Sequence, residues 1–230
     1  MKSSMHDFGD GNGAVPARRH ENGWGWVALT ASADPSTYVG QYAQVYGSAR
    51  VYGKALVSGR ARVYGRAQIY GRAQIYGEAQ VCGRAQVSDR ALVYGEAQVY
   101  GKAQVYGRAQ VSGRARVYGK ALVCGRAQVC GKAQVYGEAQ IYGRAQIYGE
   151  ARVYGETHLH SEARIEHTPL VLGGMEFYVV ICDNGICVGC HFASTDAWAN
   201  GLTPEPAPLL ERSRETIIQL ARIHQKGIGK

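Results

Sequence analysis

A six-residue repeat is the feature that most limits what this chain can fold into. From Ala43 to Gly155 the sequence repeats the pattern A-x-[VI]-[YSC]-G-x, and only Asp89 departs from its glycine position. Aliphatic residues recur every six positions from Val39 to Ile165 without an insertion. Self-similarity at a short, fixed period indicates a repeat architecture and leaves little room for an ordinary globular core.

The spacing within the repeat predicts its local structure. The alanine and the aliphatic residue are two positions apart, so they point to one side of an extended strand, while the residues beside them point outward. The glycine then allows a positive φ at a corner. One hexad cannot bury its apolar side alone, whereas coils stacked in parallel bury a continuous column and pair their backbones. We therefore predict an all-β fold, a single-stranded parallel β-helix of about seven triangular coils, each made of three hexads.

The repeat divides the chain into three regions. Residues 1–22 are polar, and we expect them to be flexible. Residues 23–168 form the predicted solenoid, and residues 169–230 form a small α+β cap. The solenoid needs such a cap because its last coil has an open end.

Turn and capping signals predict the elements of the cap. Asp183-Asn184-Gly185 is typical of a hairpin turn, between strands predicted over 176–181 and 186–192. Ser194 or Thr195 is a candidate N-cap of a short helix that ends before Gly201. Residues 209–225 show the apolar period of an amphipathic helix.

Composition excludes several classes of protein. The 230 residues carry a formal net charge of +8 and six cysteines. No apolar run reaches the roughly 18 residues that a membrane span requires, so we expect no membrane association. The N-terminus lacks the apolar stretch of a secretory signal. Three cysteines lie singly at repeat positions and three cluster near the C-terminal end, which is not the disulfide framework of a secreted domain. We therefore expect a cytoplasmic protein.

One corner of the predicted coil carries basic residues throughout. Because a coil contains three hexads, residues 18 apart stack directly above one another. At one corner this column reads Lys54, Arg72, Arg90, Arg108, Arg126 and Arg144. Six cations at coil spacing predict an anion-binding ridge that suits a polyanion. The alternative is a solvated corner, since most corner positions of the repeat are basic.

Outward tyrosines also form columns. One column contains Tyr46, Tyr64, Tyr100, Tyr118, Tyr136 and Tyr154 and is interrupted by Cys82, and a second contains Tyr52, Tyr70, Tyr106 and Tyr142. Stacked rings and neighbouring Gln ladders can stabilise the coil without any partner. The same surface, with the outward residues Leu56, Leu92 and Leu122, suits a protein interface, and we expect a homo-oligomer.

Histidine and cysteine side chains near the C-terminal end are the candidates for site chemistry. His158 and His160 point outward together from one predicted strand. Cys182 and Cys187 flank the hairpin turn and should face each other, and with Cys190 and His191 they loosely suggest a zinc site. Small buried thiols explain the same cysteines, so we predict no metal.

The repeat resembles the hexapeptide-repeat superfamily, whose members form left-handed parallel β-helices. Val45-Tyr46-Gly47-Ser48-Ala49 matches the aliphatic and small positions of that motif, but its glycine comes one position later. Right-handed solenoids also use aliphatic-x-Gly repeats. Residues 20–28 and 187–191 are similar to segments of long hexapeptide-repeat proteins of bacteriophages and prophages. The resemblance implies a left-handed coil, a homotrimer, and a location in the cytoplasm of a bacterial host or in a virion.

The resemblance also implies two classes of function. Many hexapeptide-repeat proteins are acyltransferases that use acyl-CoA and a catalytic histidine, and His158, His160 or His167 could supply a general base near the last coils. Such enzymes carry long loops, whereas the hexads from Ala43 to Gly155 contain neither a loop nor a histidine. We therefore predict a non-catalytic structural or binding protein without a cofactor. Its surfaces would bind a host protein or an anionic ligand.

Overall fold

The structure is a computed structural model and describes residues 3–172, 179–188, 191–201 and 211–227. Residues 26–165 form a solenoid of very short parallel strands arranged in three sheets, which we call faces 1, 2 and 3 in the order of the chain. Each of the three faces takes one strand from each coil, and faces 2 and 3 contain eight strands each. The predicted parallel β-solenoid is therefore confirmed, with eight coils.

The strands of the solenoid follow the hexad pattern. On face 1 they are Trp26–Ala28, Gln44–Val45, Arg62–Val63, Gln80–Val81, Gln98–Val99, Arg116–Val117, Gln134–Val135 and Arg152–Val153. On face 2 they are Ser32–Ala33, Arg50–Val51, Gln68–Ile69, Gln86–Val87, Gln104–Val105, Leu122–Val123, Gln140–Ile141 and His158–Leu159. On face 3 they are Tyr38–Val39, Leu56–Val57, Gln74–Ile75, Leu92–Val93, Gln110–Val111, Gln128–Val129, Gln146–Ile147 and Arg164–Ile165.

The interior of the solenoid is built from the alanine and aliphatic positions. In a typical hexad, Ala97 and Val99 are completely buried and belong to one core that runs the length of the coils. The backbone N–H groups of Gln98 and Tyr100 donate to Ala115 and Val117 of the next coil at 2.9 and 3.0 Å. Burial of small and branched side chains therefore coincides with a complete ladder between the coils.

The first coil lies within the predicted range 23–168 but precedes the repeat that the sequence shows from Val39 onward. Val27 and Ala33 occupy the inner positions of the first coil, in the same six-residue phase as Val39, and all three are buried. The repeat is hard to recognise there because Ala33 replaces the aliphatic residue. Leu29, Pro35 and Gln41 stand where later hexads have glycine.

Residues 4–19 form a β-hairpin, although we expected residues 1–22 to be flexible. Its strands are Ser4–Asp7 and Ala14–Arg19, and the second strand pairs with Trp26–Ala28 of the first coil. The hairpin thereby covers the open edge of face 1, and an uncovered edge would invite pairing with another chain. Aromatic contacts hold it in place, because Phe8 is buried and stacks on Tyr46 at 4.8 Å.

A second stack fixes the other side of this hairpin. His6 lies parallel to Trp26 with ring centroids 4.1 Å apart, and the guanidinium of Arg19 lies 3.9 Å from the Trp26 ring centroid. Burial, followed by the positive charge of Arg19, lowers the pKa of His6. The imidazole is therefore neutral at pH 7, which suits a stacked ring beside a cation.

Among its described residues, the C-terminal cap contains an antiparallel sheet of four strands; residues 176–178 and 189–190 of the predicted strands lie outside the described part of the chain. The four strands are Leu170–Leu172, Val179–Cys182, Gly185–Val188 and His191–Ala193. The turn of the central hairpin completes the last coil: Asn184 Oδ1 accepts from the Arg164 N–H at 2.8 Å, and Asn184 Nδ2 donates to the Glu162 carbonyl at 3.0 Å. Asp183 Oδ2 accepts from the backbone of Glu166 and His167. Side chains of the turn thus form hydrogen bonds with backbone groups of the last coil that no further coil would pair.

Two helices pack on the far side of this sheet. Helix α1 spans Thr195–Ala199, and the Ser194 side chain caps it by accepting from the Ala197 N–H at 3.1 Å. Helix α2 spans Glu211–Gly227, close to the predicted amphipathic helix, whose first two residues, 209 and 210, lie outside the described part of the chain. Its buried residues Ile217, Ile218 and Ala221 join a core of their own with the sheet. Within the described ranges, neither helix has the length and apolarity needed to cross a membrane.

Candidate anion-binding ridge

The strand register places the predicted basic column at one corner of the solenoid. We call the corners 1, 2 and 3 after the face that precedes each of them. Corner 2 carries the basic ridge, which we define as Lys54, Arg72, Arg90, Arg108, Arg126 and Arg144. Each of these residues follows a face 2 strand that pairs in register with the strand 18 residues later. All six side chains are exposed, so they project from successive coils as a single row.

Salt bridges distinguish the three corners. At corner 3, stacked residues of opposite charge pair as Arg60–Glu78 at 3.5 Å, Arg114–Glu96 at 3.0 Å and Lys132–Glu150 at 2.6 Å. Corner 1 has one such pair, Lys120–Glu138, at 2.6 Å. These exposed pairs add little stability, but they cancel charge locally.

The basic ridge is largely unpaired. Arg144 lies 3.8 Å from Glu162 of the last coil, whereas the five cations before it form no ion pair with any described residue. Asp89, at the glycine position of this corner, turns its carboxylate toward the backbone and accepts from the Gly107 N–H at 3.0 Å. A row of five cations without an ion-pair partner among the described residues therefore runs along corner 2, with the carboxylate of Asp89 beside it.

The tyrosine columns stack as the sequence predicted. Tyr46–Tyr64, Tyr52–Tyr70 and Tyr100–Tyr118 have nearly parallel rings with centroids 4.9–5.1 Å apart. Hydroxyl groups link the stacks to the Gln ladders, as between Tyr118 and Gln134 Oε1 at 3.3 Å. A third stack, Tyr76–Tyr94, lies on face 3 and went unnoticed in the sequence although it obeys the same 18-residue spacing. These ladders stabilise the coil from outside.

The candidate catalytic histidines lie on face 2 of the last coil. His158 and His160 flank the buried Leu159, so both point outward. The ring of Tyr142 in the preceding coil lies 4.8 Å from that of His160 and 6.3 Å from that of His158. Burial, and then the neighbouring His158 and His191, lower the pKa of His160. His160 is therefore a neutral imidazole at pH 7.

The hairpin brings two of the candidate zinc ligands together. The turn consists of Asp183 and Asn184, within the predicted Asp183-Asn184-Gly185, so Cys182 lies opposite Gly185 and Cys187 opposite Val180. The Cys182 and Cys187 thiols nevertheless point to one face, 3.8 Å apart, and both are fully buried. The hydrogen bond with Cys187, together with burial, raises the pKa of Cys182. A Cys182 thiol that stays protonated in an apolar core acts as a small hydrophobic group.

Among the described residues, no further candidate ligand forms a cluster with these thiols. Cys190 lies outside the described residues, and His191 is half-buried on the outermost strand of the cap, opposite Val188. Glu166, His167 and Asp183 also approach one another, with His167 Nδ1 3.5 Å from Asp183 Oδ2. That oxygen already accepts two backbone N–H groups of the last coil, so its role in capping explains the cluster.

Comparison with known proteins supports the architecture. Four segments, residues 43–59, 85–101, 109–125 and 145–161, match the family model described as YdcK Beta solenoid repeat. No curated protein matches the chain. The chain is therefore a β-solenoid repeat protein, as both the matched segments and the stacked coils indicate.

Proposed function

We propose that this β-solenoid repeat protein is a non-catalytic binding rod whose basic ridge binds a polyanion. The observation that supports the proposal is the contrast between corners: stacked charges are paired at corner 3, whereas Lys54, Arg72, Arg90, Arg108 and Arg126 have no acidic partner among the described residues. Such a ridge attracts molecules by their negative charge, as acidic proteins, nucleic acids and sulfated polysaccharides carry it.

Electrostatics explains why the ridge should bind an anion. Successive coils are about 4.8 Å apart, and two exposed like charges at this spacing repel by about 1 kcal/mol in water. A linear polyanion replaces these repulsions with attractions and releases its own condensed counterions. Binding by this ridge should therefore weaken steeply as the salt concentration rises.

Charge reversal at the ridge tests the proposal. In the double variant Arg90→Glu/Arg108→Glu, we expect the affinity for labelled heparin to fall about 100-fold, because two contacts become repulsive. The matched control is Arg60→Glu/Arg114→Glu at corner 3, which changes the net charge equally and should change the affinity less than about threefold. Fluorescence anisotropy over a series of salt concentrations measures both. Equal losses in the two variants, or unchanged binding at the ridge, would contradict the proposal.

We further propose a homotrimer that packs through face 3. Leu56 and Leu92 lie on this face, and the outward side chains of its strands from Leu56 to Gln146 carry no charge. The resemblance to hexapeptide-repeat proteins supports the trimer, as well as an origin in a phage or prophage and a place in the bacterial cytoplasm or the virion.

Multi-angle light scattering should give three times the chain mass for the protein and a smaller mass for Leu92→Lys. A monomeric parent protein would contradict this assembly.

The acyltransferase alternative rests on His160, which is neutral and could accept a proton. Such an enzyme also needs walls that enclose acyl-CoA. The hexads from Ala43 to Gly155 pair coil to coil without an insertion, so this part of the solenoid offers a flat surface. We therefore keep the binding rod as the proposed function.

A further inference from the structure

A second basic row runs parallel to the basic ridge, on the opposite edge of face 2. It lies at corner 1 and consists of Arg66, Arg84, Lys102 and Lys120, all exposed. Lys120 pairs with Glu138, whereas the other three form no ion pair with a described residue. Face 2 is therefore bordered by cations on both edges.

The surface between the two rows is uncharged along the middle coils. Its outward side chains there are Gln68, Tyr70, Gln86, Ser88, Gln104 and Tyr106. Faces 1 and 3 differ because each of them borders corner 3, where Glu78, Glu96 and Glu150 balance the cations. Among the three described faces, face 2 is therefore the one with a row of cations on both edges.

The distance between the rows indicates the shape of the polyanion. Six residues separate a cation of corner 1 from the next cation of corner 2, so their backbones are at most about 20 Å apart. A single file of charges lying along the ridge leaves the second row without a partner. A duplex has two charged strands and about one phosphate per 1.7 Å of its axis, so it offers phosphates to both rows.

The tyrosines of face 2 give single strands little advantage. Proteins that bind single strands usually stack bases on free aromatic faces. Here the rings of Tyr52 and Tyr70 stack on each other at 5.1 Å, and their hydroxyl groups lie 3.5 Å from Gln68 and Gln86. The faces that these two rings turn toward each other are thus closed to a ligand.

We propose that face 2 binds double-stranded nucleic acid through its phosphate backbone, with the basic ridge and the second basic row contacting the two strands. This inference rests on the proposed function and names the class of polyanion. The outward residues of face 2 form a flat plateau without a helix or ribbon that could enter a groove, so binding should not depend on sequence. A free single strand would contact the ridge alone.

Three double variants with the same change in charge test the inference, one for each corner. They are Arg84→Glu/Lys102→Glu at corner 1, Arg90→Glu/Arg108→Glu at corner 2 and Arg60→Glu/Arg114→Glu at corner 3. The probes are a short DNA duplex, one of its strands and phosphatidylserine vesicles, measured with the full chain over a series of salt concentrations. Circular dichroism and thermal unfolding establish that each variant is folded.

We expect the corner 1 variant to bind the duplex about tenfold more weakly than the parent protein, with a salt slope smaller by about two. Its affinity for the single strand should change less than about threefold, and the corner 3 variant should bind the duplex and the single strand like the parent.

If reversal at corner 2 abolishes duplex binding but reversal at corner 1 leaves it unchanged, the duplex assignment is wrong and the ridge proposal survives. If the parent binds neither heparin nor DNA, both proposals fail. Tighter binding to the vesicles than to the duplex would overturn the assignment in favour of a membrane surface.

Discussion

Removal of the 18 residues from Gln98 to Ala115 should leave a folded protein, whereas removal of Gln98 alone should unfold part of the solenoid. The larger deletion joins Ala97 to Arg116, so an alanine is again followed by an outward residue and by Val117. It removes one coil, about 4.8 Å of the rod, and preserves the pairing of every remaining strand. A deletion of 18 residues is therefore expected to be milder than a deletion of one.

The single deletion disturbs the solenoid because side chains alternate in a strand. Without Gln98, Val99 follows Ala97 directly, so that Val99 turns outward and Tyr100 inward. The core position of Val99 is completely buried and cannot accommodate a tyrosine without strain. We expect a loss of at least about 3 kcal/mol in the free energy of unfolding. Thermal unfolding followed by circular dichroism compares the two variants, and a lower midpoint for the 18-residue deletion would contradict the expectation.

The same periodicity explains why most of the fold could be predicted from the sequence. Each hexad contains its own inward and outward residues, and a spacing of 18 determines which side chains stack. The positions of the basic ridge and of the stacks of Tyr46 and Tyr52 therefore follow from the amino-acid sequence alone. The repeat could not be traced into the first coil because Ala33 and Leu29 break the pattern on which that inference depends.

The two ends of the rod could not be predicted in the same way, because contacts with the coils override local signals there. Residues 4–19 are polar in composition, and their ordering depends on Phe8 and His6 reaching Tyr46 and Trp26. In the cap, Asn184-Gly185 is a strong local turn signal. The turn consists of Asp183 and Asn184, where Asn184 bonds the last coil, and Gly185 lies in a strand where any side chain would collide with the Ala193 carbonyl.

The features that support a function were only partly visible in the sequence. The spacing alone identifies the ridge, but the absence of partners for its first five cations required the contrast with Arg60–Glu78 and Lys132–Glu150. Which of the cap cysteines approach each other depended on the register of the hairpin. Cys182 and Cys187 do so diagonally, because Cys182 pairs with Gly185 and Cys187 pairs with Val180.

Substitution of a corner glycine should be the most damaging single change in the solenoid. Gly101 has φ +71°, and a Cβ there would lie 3.0 Å from the backbone N and O of Gly119. Gly119 cannot withdraw easily because its carbonyl accepts from the Lys102 N–H at 2.7 Å. In Gly101→Ala we therefore expect the positive φ to cost about 1–2 kcal/mol and the contact to cost about 2 kcal/mol more.

Two further variants separate these causes. Gly155 has φ +66° with nothing within 4 Å of its Cβ position, so Gly155→Ala should carry the conformational cost alone. Gly101→Asp should be less damaging than Gly101→Ala, although aspartate is larger. At the equivalent position, Asp89 tolerates φ +58° and accepts a hydrogen bond from the Gly107 N–H in the next coil. Urea unfolding compares the free energy of unfolding of the three variants. Equal losses of this free energy for Gly101→Ala and Gly155→Ala would show that the close stacking of corners is not what requires glycine.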